Sequence, residues 1–574
     1  MKMLLKYLKP MRGYIAVALI IKALGTLVEL VIPYILSHIL DDVVPMHRVK
    51  PIVIWGGAMI VCAALACIWN ICANRMAARV ARNSSEMIRH DLFARILHLS
   101  SAQTDRFTIP SLESRLTSDT YNVHSFVGMG MRMGVRAPLL LIGGVIVTAT
   151  LDPVLTLVML AILPLISISV FFITKRGIPL FKKNQKSVDG MIRIVREDSQ
   201  GIRVIKALSK TDFEKRKYDT ANKQLVCDET RASITMAASN PTVTFLLNLG
   251  LVAVVLVGAS RVNSDLSQPG KIIAFIQYFT LISNAMIGIT KIFVNYSKGA
   301  ASAQRIAEVI NTEPDLEAFS ENDYPSHPDE SGIVFDDVSF SYTGKKDSLS
   351  HISFHLEEGQ TLGIIGATGS GKTTVISLLM RFYDVGSGSV RINGRDVRTY
   401  RPEELHTMFG TVMQNDFIYS GTIADNIDFG RGIPAEEIEF AAGCAQAKEF
   451  IEKYPDRYEH MLNSKGTNVS GGQKQRLLIA RALAGKPRIL VLDDSSSALD
   501  YKTDANLRRS IRENMDGVTT VVVAQRVSSV MNSDLIIVLD DGKIIGMGTH
   551  AQLVESCEIY REISDSQIGG AILD

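Results

Sequence analysis

The 574-residue chain is short of cysteine and of net charge, and each scarcity excludes something. Its six cysteines, Cys62, Cys67, Cys72, Cys227, Cys444 and Cys557, form no metal-ligand spacing. Cys62, Cys67 and Cys72 lie five apart, so successive ones fall about 140° apart on a helix and read as packing residues. A formal charge of +2 gives bulk electrostatics no role in selecting a partner, and nothing points to nucleic acid. A cleavable leader is missing too. Lys2, Lys6, Lys9 and Arg12 precede the first apolar run, but that run is too long for a signal h-region and has no persuasive cleavage site.

What the chain has in abundance is apolar sequence, unevenly spread. Hydrophobic residues make up 47% and mean hydropathy is +0.17, high for a soluble protein. The first half carries long apolar runs; the second alternates like a soluble α/β domain. Six runs, at about 14–40, 51–73, 126–150, 153–174, 241–262 and 271–294, are each about 20 residues or more, enough to cross ~30 Å of hydrocarbon. Arg132 and Arg136 open the third and fall below the membrane if that helix continues into the cytoplasm. Basic residues set the orientation. Arg75, Arg79, Arg82, Arg89 and Arg95 fill the second-to-third connection, and Lys175, Arg176, Lys182, Lys183 and others the fourth-to-fifth. Both connections are therefore expected in the cytoplasm, as are both termini. Leu151-Asp152 is expected to be a tight outer turn. Within the spans, Lys22, Glu29 and Lys291 are expensive in lipid, and they either pair with neighbours or line a cavity.

The acidic segment 312–331, rich in proline, reads as a linker. It divides a membrane domain at 1–311 from an α/β domain at 332–574. Strands are expected at 333–335, 338–342, 489–492 and 519–524. A hairpin is expected from 535–539 and 543–545, turning at Asp541-Gly542. Gly366-Ala367-Thr368-Gly369-Ser370-Gly371-Lys372-Thr373 reads G-x-x-x-x-G-K-T, a P-loop between an apolar strand at 361–365 and a helix at 374–380. Backbone N–H groups and the helix N-terminus would cradle phosphate. Lys372 would reach the terminal phosphates, and the Thr373 hydroxyl would sit on Mg²⁺. Leu490-Val491-Leu492-Asp493-Asp494 ends a strand in two carboxylates about 120 residues later, where a magnesium-binding aspartate belongs. Ser470-Gly471-Gly472-Gln473 opens a helix over 474–484. The Ser–Gln spacing fits a capping box, and the free N–H groups fit an anion.

P-loop, Gln414, S-G-G-Q and Asp493, in this order behind six spans, resemble the exporter type of ABC transporter over essentially the whole chain. The resemblance implies an α-helical six-span transmembrane domain followed by an α/β P-loop nucleotide-binding domain. It also implies a half-transporter in the cytoplasmic membrane, with ATP and Mg²⁺ bound between two chains. On it, Tyr342 stacks on adenine, Gly366 to Thr374 cradle the phosphates, and Gln414 joins Thr373 and Asp493 at the magnesium. Ser470, Gly471, Gly472 and Gln473 meet the ATP of the other chain. Residues 497–500 match the D-loop. Residues 111–120 and 209–213 fall near the helices that couple the two domains.

Two positions depart from that pattern. Asp494 stands where the family has its hydrolytic glutamate, and Gln525 where it has a histidine. Asp is one methylene shorter, so its carboxylate reaches about 1.5 Å less far. Gln bonds a phosphate but carries no charge and shuttles no proton. The pair resembles the degenerate-site subunit of heterodimeric bacterial multidrug exporters. This implies a partner half-transporter with Glu and His in those places, and export of small hydrophobic or amphipathic compounds from the lipid. The alternatives are a lipid or lipid-linked translocase and an ATP-gated channel or regulator.

Overall fold

The computed structural model describes residues 2–568 except 317, 321–323, 325, 496 and 497, with backbone alone at 2, 170, 239, 290, 293, 294 and 568. The chain forms two compact units. One is Met1–Leu97 with Ile109–Thr312; the other is His98–Thr108 with Glu313–Asp574.

Six helices in the first unit are long and apolar enough to cross a membrane: Met3–Met46, Val49–Leu97, Ile109–Leu151, Pro153–Gln200, Thr211–Asn263 and Pro269–Ile289. The first five each contain an expected apolar run, several continuing far beyond it, and the sixth overlaps the run expected at 271–294. The 49 residues of Val49–Leu97 cover about 70 Å at 1.5 Å per residue, more than twice the hydrocarbon thickness. Ala66, Ala73, Ala77 and Ala81 are buried along this helix, and small residues allow close approach of its neighbours. At Gly25 an added Cβ would stand 3.2 Å from the Trp69 Cβ. The last helix supplies the largest buried side chains, Phe275, Tyr278 and Phe279. Tyr278 donates its hydroxyl proton to the Leu30 carbonyl at 2.5 Å, which satisfies the polar end of a fully buried ring.

The tight turn at Leu151-Asp152 forms between two helices. Asp152 caps the helix Pro153–Gln200 by accepting from the N–H groups of Val154 and Leu155 at 3.0 and 3.3 Å, and Arg261 pairs with it at 3.0 Å. The third span differs from expectation. Its helix stops at Met133 and restarts at Arg136, across Gly134, glycine being a weak helix former. Arg136 then forms a two-pronged pair with Glu29, at 2.7 and 3.3 Å. Buried Lys22 donates to the side-chain carbonyls of Asn70 and Asn74 at 2.7 and 3.2 Å; Lys291 is exposed. The cysteine expectation needs correcting. Cys67, Cys72 and Cys227 face outward, Cys62 is half-buried, and the buried ones are Cys444 and Cys557. Five-residue spacing spreads side chains around a helix and cannot hold them on one packed face.

The second unit holds β1 (Ile333–Phe340), β2 (Leu349–Leu356), β3 (Thr361–Gly366), β4 (Ser387–Ile392), β5 (Arg395–Asp396) and β6 (Phe409–Val412). Then follow β7 (Gly421–Thr422), β8 (Met461–Leu462), β9 (Ile489–Asp493), β10 (Thr519–Val523), β11 (Leu535–Asp540) and β12 (Lys543–Gly548). A six-stranded sheet runs β12-β11-β3-β10-β9-β6, parallel except for the β11–β12 hairpin at its edge. All five residues of β9 and of β10 are buried, as in strands covered on both faces, and this is why they read as mostly apolar rather than alternating. A four-stranded sheet, β2-β1-β4-β5, lies beside it in sequence. The two strands expected at 333–342 form one, β1, whose pairing shifts register between Phe335 and Val338 around exposed Asp336 and Asp337. A bulge keeps the strand continuous where the alternation breaks.

The described part of 312–331 is bonded along β4 and β5. Phe319 N–H donates to the Arg398 carbonyl at 2.9 Å and His327 N–H to that of Gly394 at 2.8 Å. Glu330 receives Arg391 at 2.8 and 3.2 Å.

Candidate functional site: a phosphate cleft at the carboxyl ends of three strands

β3, β10 and β9 are neighbours, and their carboxyl ends come out level: Val523 of β10 pairs with Ile364 on one side and Asp493 on the other. In an open parallel sheet the crevice beyond such ends is where ligands bind. Here three sequence-distant motifs emerge together: the loop after β3, Asp493-Asp494 after β9, and Gln525 after β10.

The loop Gly366–Gly371 bends back before the helix Lys372–Leu379. Gly371 takes a φ of +102°, and a Cβ there would lie 2.6 Å from Leu349 Cδ2 and 2.9 Å from the Ser348 carbonyl. Glycine is required on both counts. Lys372 folds over the loop, its ammonium donating to the carbonyls of Gly366 and Ala367 at 2.8 and 2.7 Å. Burial pushes its pKa down, while Asp493 and Asp494 pull it back up. The Thr373 hydroxyl donates to Asp493 at 3.0 Å. Burial pushes the carboxyls of Asp493 and Asp494 above the usual carboxylate range. Ser370 is buried, and among the described residues its hydroxyl has no hydrogen-bond partner.

These groups line a cleft of about 550 Å³. Thr368, Gly369, Gly371, Lys372, Thr373 and Thr374 form its floor; Gln414, Asp493, Asp494 and Gln525 form one wall; Tyr342 stands at the other. Gly366, Ala367 and Ser370 lie in the loop behind the lining. The Tyr342 hydroxyl is 3.4 Å from that of Thr374. Its ring meets Tyr383 edge-on at 5.1 Å between centroids.

The two departures, Asp494 and Gln525, touch: Gln525 Nε2 donates to Asp494 Oδ2 at 3.2 Å. Asp494 sits in the left-handed region with φ 49°, which aspartate tolerates better than most residues. Its N–H bonds the Val523 carbonyl at 2.9 Å.

Ser470, Gly471, Gly472 and Gln473 do not line this cleft. They open the helix Gly471–Ala484 through the expected capping box. Gln473 N–H donates to Ser470 Oγ at 3.3 Å, and Ser470 N–H to Gln473 Oε1 at 2.9 Å. The 497–500 motif begins outside the described residues; Asp500 caps the following helix, Tyr501–Asn514.

Sequence reasoning missed three features. Lys346 and Asp541 pair at 2.9 Å at the rim of the cleft; Asp541 had been read only as a hairpin turn, although β11 lies beside β3. Tyr383 packs on Tyr342 and donates to Asp105 at 2.6 Å. Asp105 belongs to the helix Ser101–Phe107, begun by a Ser100–Gln103 capping box. That helix belongs to the second unit although the chain on either side of it belongs to the first. The expected contact segment at 111–120 lies instead in the first unit. There Asp119 pairs with Arg305 and Arg115 with Glu308, both partners on the helix Pro269–Ile310 that continues the sixth span. The other expected segment, 209–213, is exposed and runs from a turn at 209–210 into the start of the helix Thr211–Ala237.

The ABC transporter transmembrane region model matches residues 15–286, and the ABC transporter model matches residues 349–497. An uncharacterized ABC transporter ATP-binding protein of Mycobacterium tuberculosis is 34% identical over 573 residues, covering 98% of each chain. The chain belongs to the ABC transporter family. Another uncharacterized member, from Bacillus subtilis, is 33% identical over 99% of both chains. A putative one from Streptococcus pneumoniae is 30% identical over 99% of this chain and 97% of that one. A bacterial Atm1-family ABC exporter solved with ATP bound superposes with a TM-score of 0.81 at 21% identity, covering 97% of this chain and 98% of that one, so this transporter has the exporter fold. One membrane region and one nucleotide-binding domain make it a half-transporter, a multi-pass membrane protein of a family that drives transport with ATP.

The cleft fits the magnesium nucleotide of such a family. The hydroxyl of Thr373 and the carboxylate of Asp493 are hard oxygen donors already in contact, and Gln414 adds a third from the wall. Among the described residues no three acidic, histidine or cysteine side chains gather into a metal cage. This suits an ion held largely by phosphate and water, where it neutralises phosphate charge.

Proposed function

We propose that this chain is one half of a heterodimeric exporter of hydrophobic or amphipathic compounds, and that its own P-loop forms a slow, ATP-retaining site. The observation that carries the reading is the Gln525–Asp494 hydrogen bond. Asp494 is the side chain placed to take a proton from an attacking water. It is one methylene short of the glutamate of the family pattern, and a misplacement of about 1 Å costs on the order of 100-fold. Its Oδ2 is further engaged by a neutral amide. Gln525 brings neither positive charge to the γ-phosphate nor a transferable proton.

Binding is served by other groups. Lys372, Thr373 and Asp493 hold phosphate and magnesium, Gln414 reads the metal, and Tyr342 offers a π face to adenine. Ser470, Gly471, Gly472 and Gln473 stand apart from this cleft, free to complete the active site of a partner that supplies Glu and His. ATP favours the closed pair of nucleotide domains by its differential affinity for it. Hydrolysis at the partner's site resets the cycle, and the site on this chain stays loaded. On this reading both termini and the nucleotide-binding domain lie in the cytoplasm, as the arginines at 75–95 require.

The test is native mass spectrometry of the tagged chain purified from its own membrane. A second, different half-transporter at one-to-one stoichiometry supports the heterodimer. A homodimer places Asp494 and Gln525 in both sites and refutes it.

A further inference from the structure

We propose that the groove between the N-terminal turn and the second membrane helix binds the phosphate headgroup of an anionic phospholipid in the cytoplasmic leaflet. The groove holds about 400 Å³ and is lined by Tyr14, Arg79, Val80 and Asn83 against the turn at 10–13. Its polar groups are a phenol, a guanidinium and an amide; its wall is apolar. That combination suits a phosphodiester with acyl chains attached.

Its depth is fixed by both helices. The first apolar run begins at Tyr14, and that of the second helix ends at Ala73, with Asn74 and Arg75 next. Tyr14 and Arg79 therefore meet where both helices leave hydrocarbon, at headgroup level. Tyrosine and arginine are the residues that settle there.

Charge selects the ligand. Residues 2–12 and 75–82 carry seven basic residues and no acidic one. Arg79 is exposed and has no hydrogen bond or ion pair among the described residues. The next carboxylates along the second helix are Glu86, about 10 Å further from Arg79 along the axis, and Asp91, which accepts from the Tyr7 hydroxyl at 2.8 Å. That bond holds the helix Lys2–Leu8, and with it the following turn at 10–13 that lines the groove, beside the second helix. A basic residue near an anionic leaflet contributes about 1 kcal/mol, and the guanidinium fork adds two-point recognition of a phosphate. The inference requires the cytoplasmic orientation but neither the heterodimer nor the slow site.

The test counts lipid retained by the purified transporter complex in native mass spectra. The complex is exchanged into nanodiscs of phosphatidylglycerol, of phosphatidylcholine, or of phosphatidylcholine with inorganic phosphate. Selective retention of phosphatidylglycerol is expected, lowered about five-fold in R79Q and less in R79K, with ATP binding unchanged. Equal retention of the two lipids, or an R79Q complex that keeps its phosphatidylglycerol, overturns the proposal. Displacement by inorganic phosphate alone assigns the groove to a free anion and overturns the lipid reading. Phosphatidylglycerol lost equally from R79Q and from a control such as R203Q, an exposed arginine far along the chain, makes the effect bulk charge and also overturns it.

Discussion

The P-loop cleft and the signature helix are two halves of one kind of nucleotide site, and this chain treats them differently. The signature helix is complete. Its Ser470–Gln473 box is reciprocal. As we propose, the cleft keeps the groups that hold a nucleotide and departs from the family pattern at Asp494 and Gln525, the two that would help to cleave it. On the proposed reading, binding and hydrolysis are separable within one fold: phosphate recognition comes from backbone and Lys372, while bond breaking depends on two side chains after β9 and β10.

The comparison breaks most plainly at Lys372. Lys372→Ala removes a charge-assisted contact worth about 1.5–3 kcal/mol, so ATP affinity at this site should fall roughly 10- to 100-fold in photolabelling of this chain. If affinity holds, the cleft is not the binding site. Asp494→Glu together with Gln525→His restores reach and proton transfer, and should raise hydrolysis at this site on the order of 10- to 100-fold, read in a complex whose other site is inactivated. Ser470→Ala should slow hydrolysis at the partner's site about ten-fold and cost about 1 kcal/mol of helix capping. Nucleotide occupancy in this chain's own cleft should not change, and a fall there would mean that the halves are not assigned as argued. The smallest effect concerns Tyr383. Tyr383→Phe keeps the ring against Tyr342 and removes the bond to Asp105, so ATP affinity should move less than two-fold. Stimulation of the ATPase by transported compounds should drop a few-fold, in line with about 1 kcal/mol for one hydrogen bond.

Legibility followed the kind of interaction. The P-loop, Asp493 and the capping box are contiguous in sequence and have local physical causes, and all three form as read. The spans were legible because hydrocarbon demands long apolar helices. Their extensions were not, because a helix outside the membrane needs no apolar run. The break at Gly134 and the pairing of Arg136 with Glu29 depend on a neighbouring helix. The segment that joins the nucleotide unit, His98–Thr108, precedes the one expected at 111–120. Its signal is a short Ser100–Gln103 cap inside an otherwise polar stretch, and the contact that reveals its role, Tyr383 with Asp105, spans 278 residues.

The central claim is retention of unhydrolysed ATP by this chain, and photolabelling tests it directly. The purified complex is turned over with 8-azido-ATP carrying label at either the α- or the γ-phosphate, washed, and then illuminated. The account predicts that this chain keeps the γ label as fully as the α label after many turnovers, while the partner keeps neither. Loss of the γ label from this chain at the rate of overall turnover would contradict it.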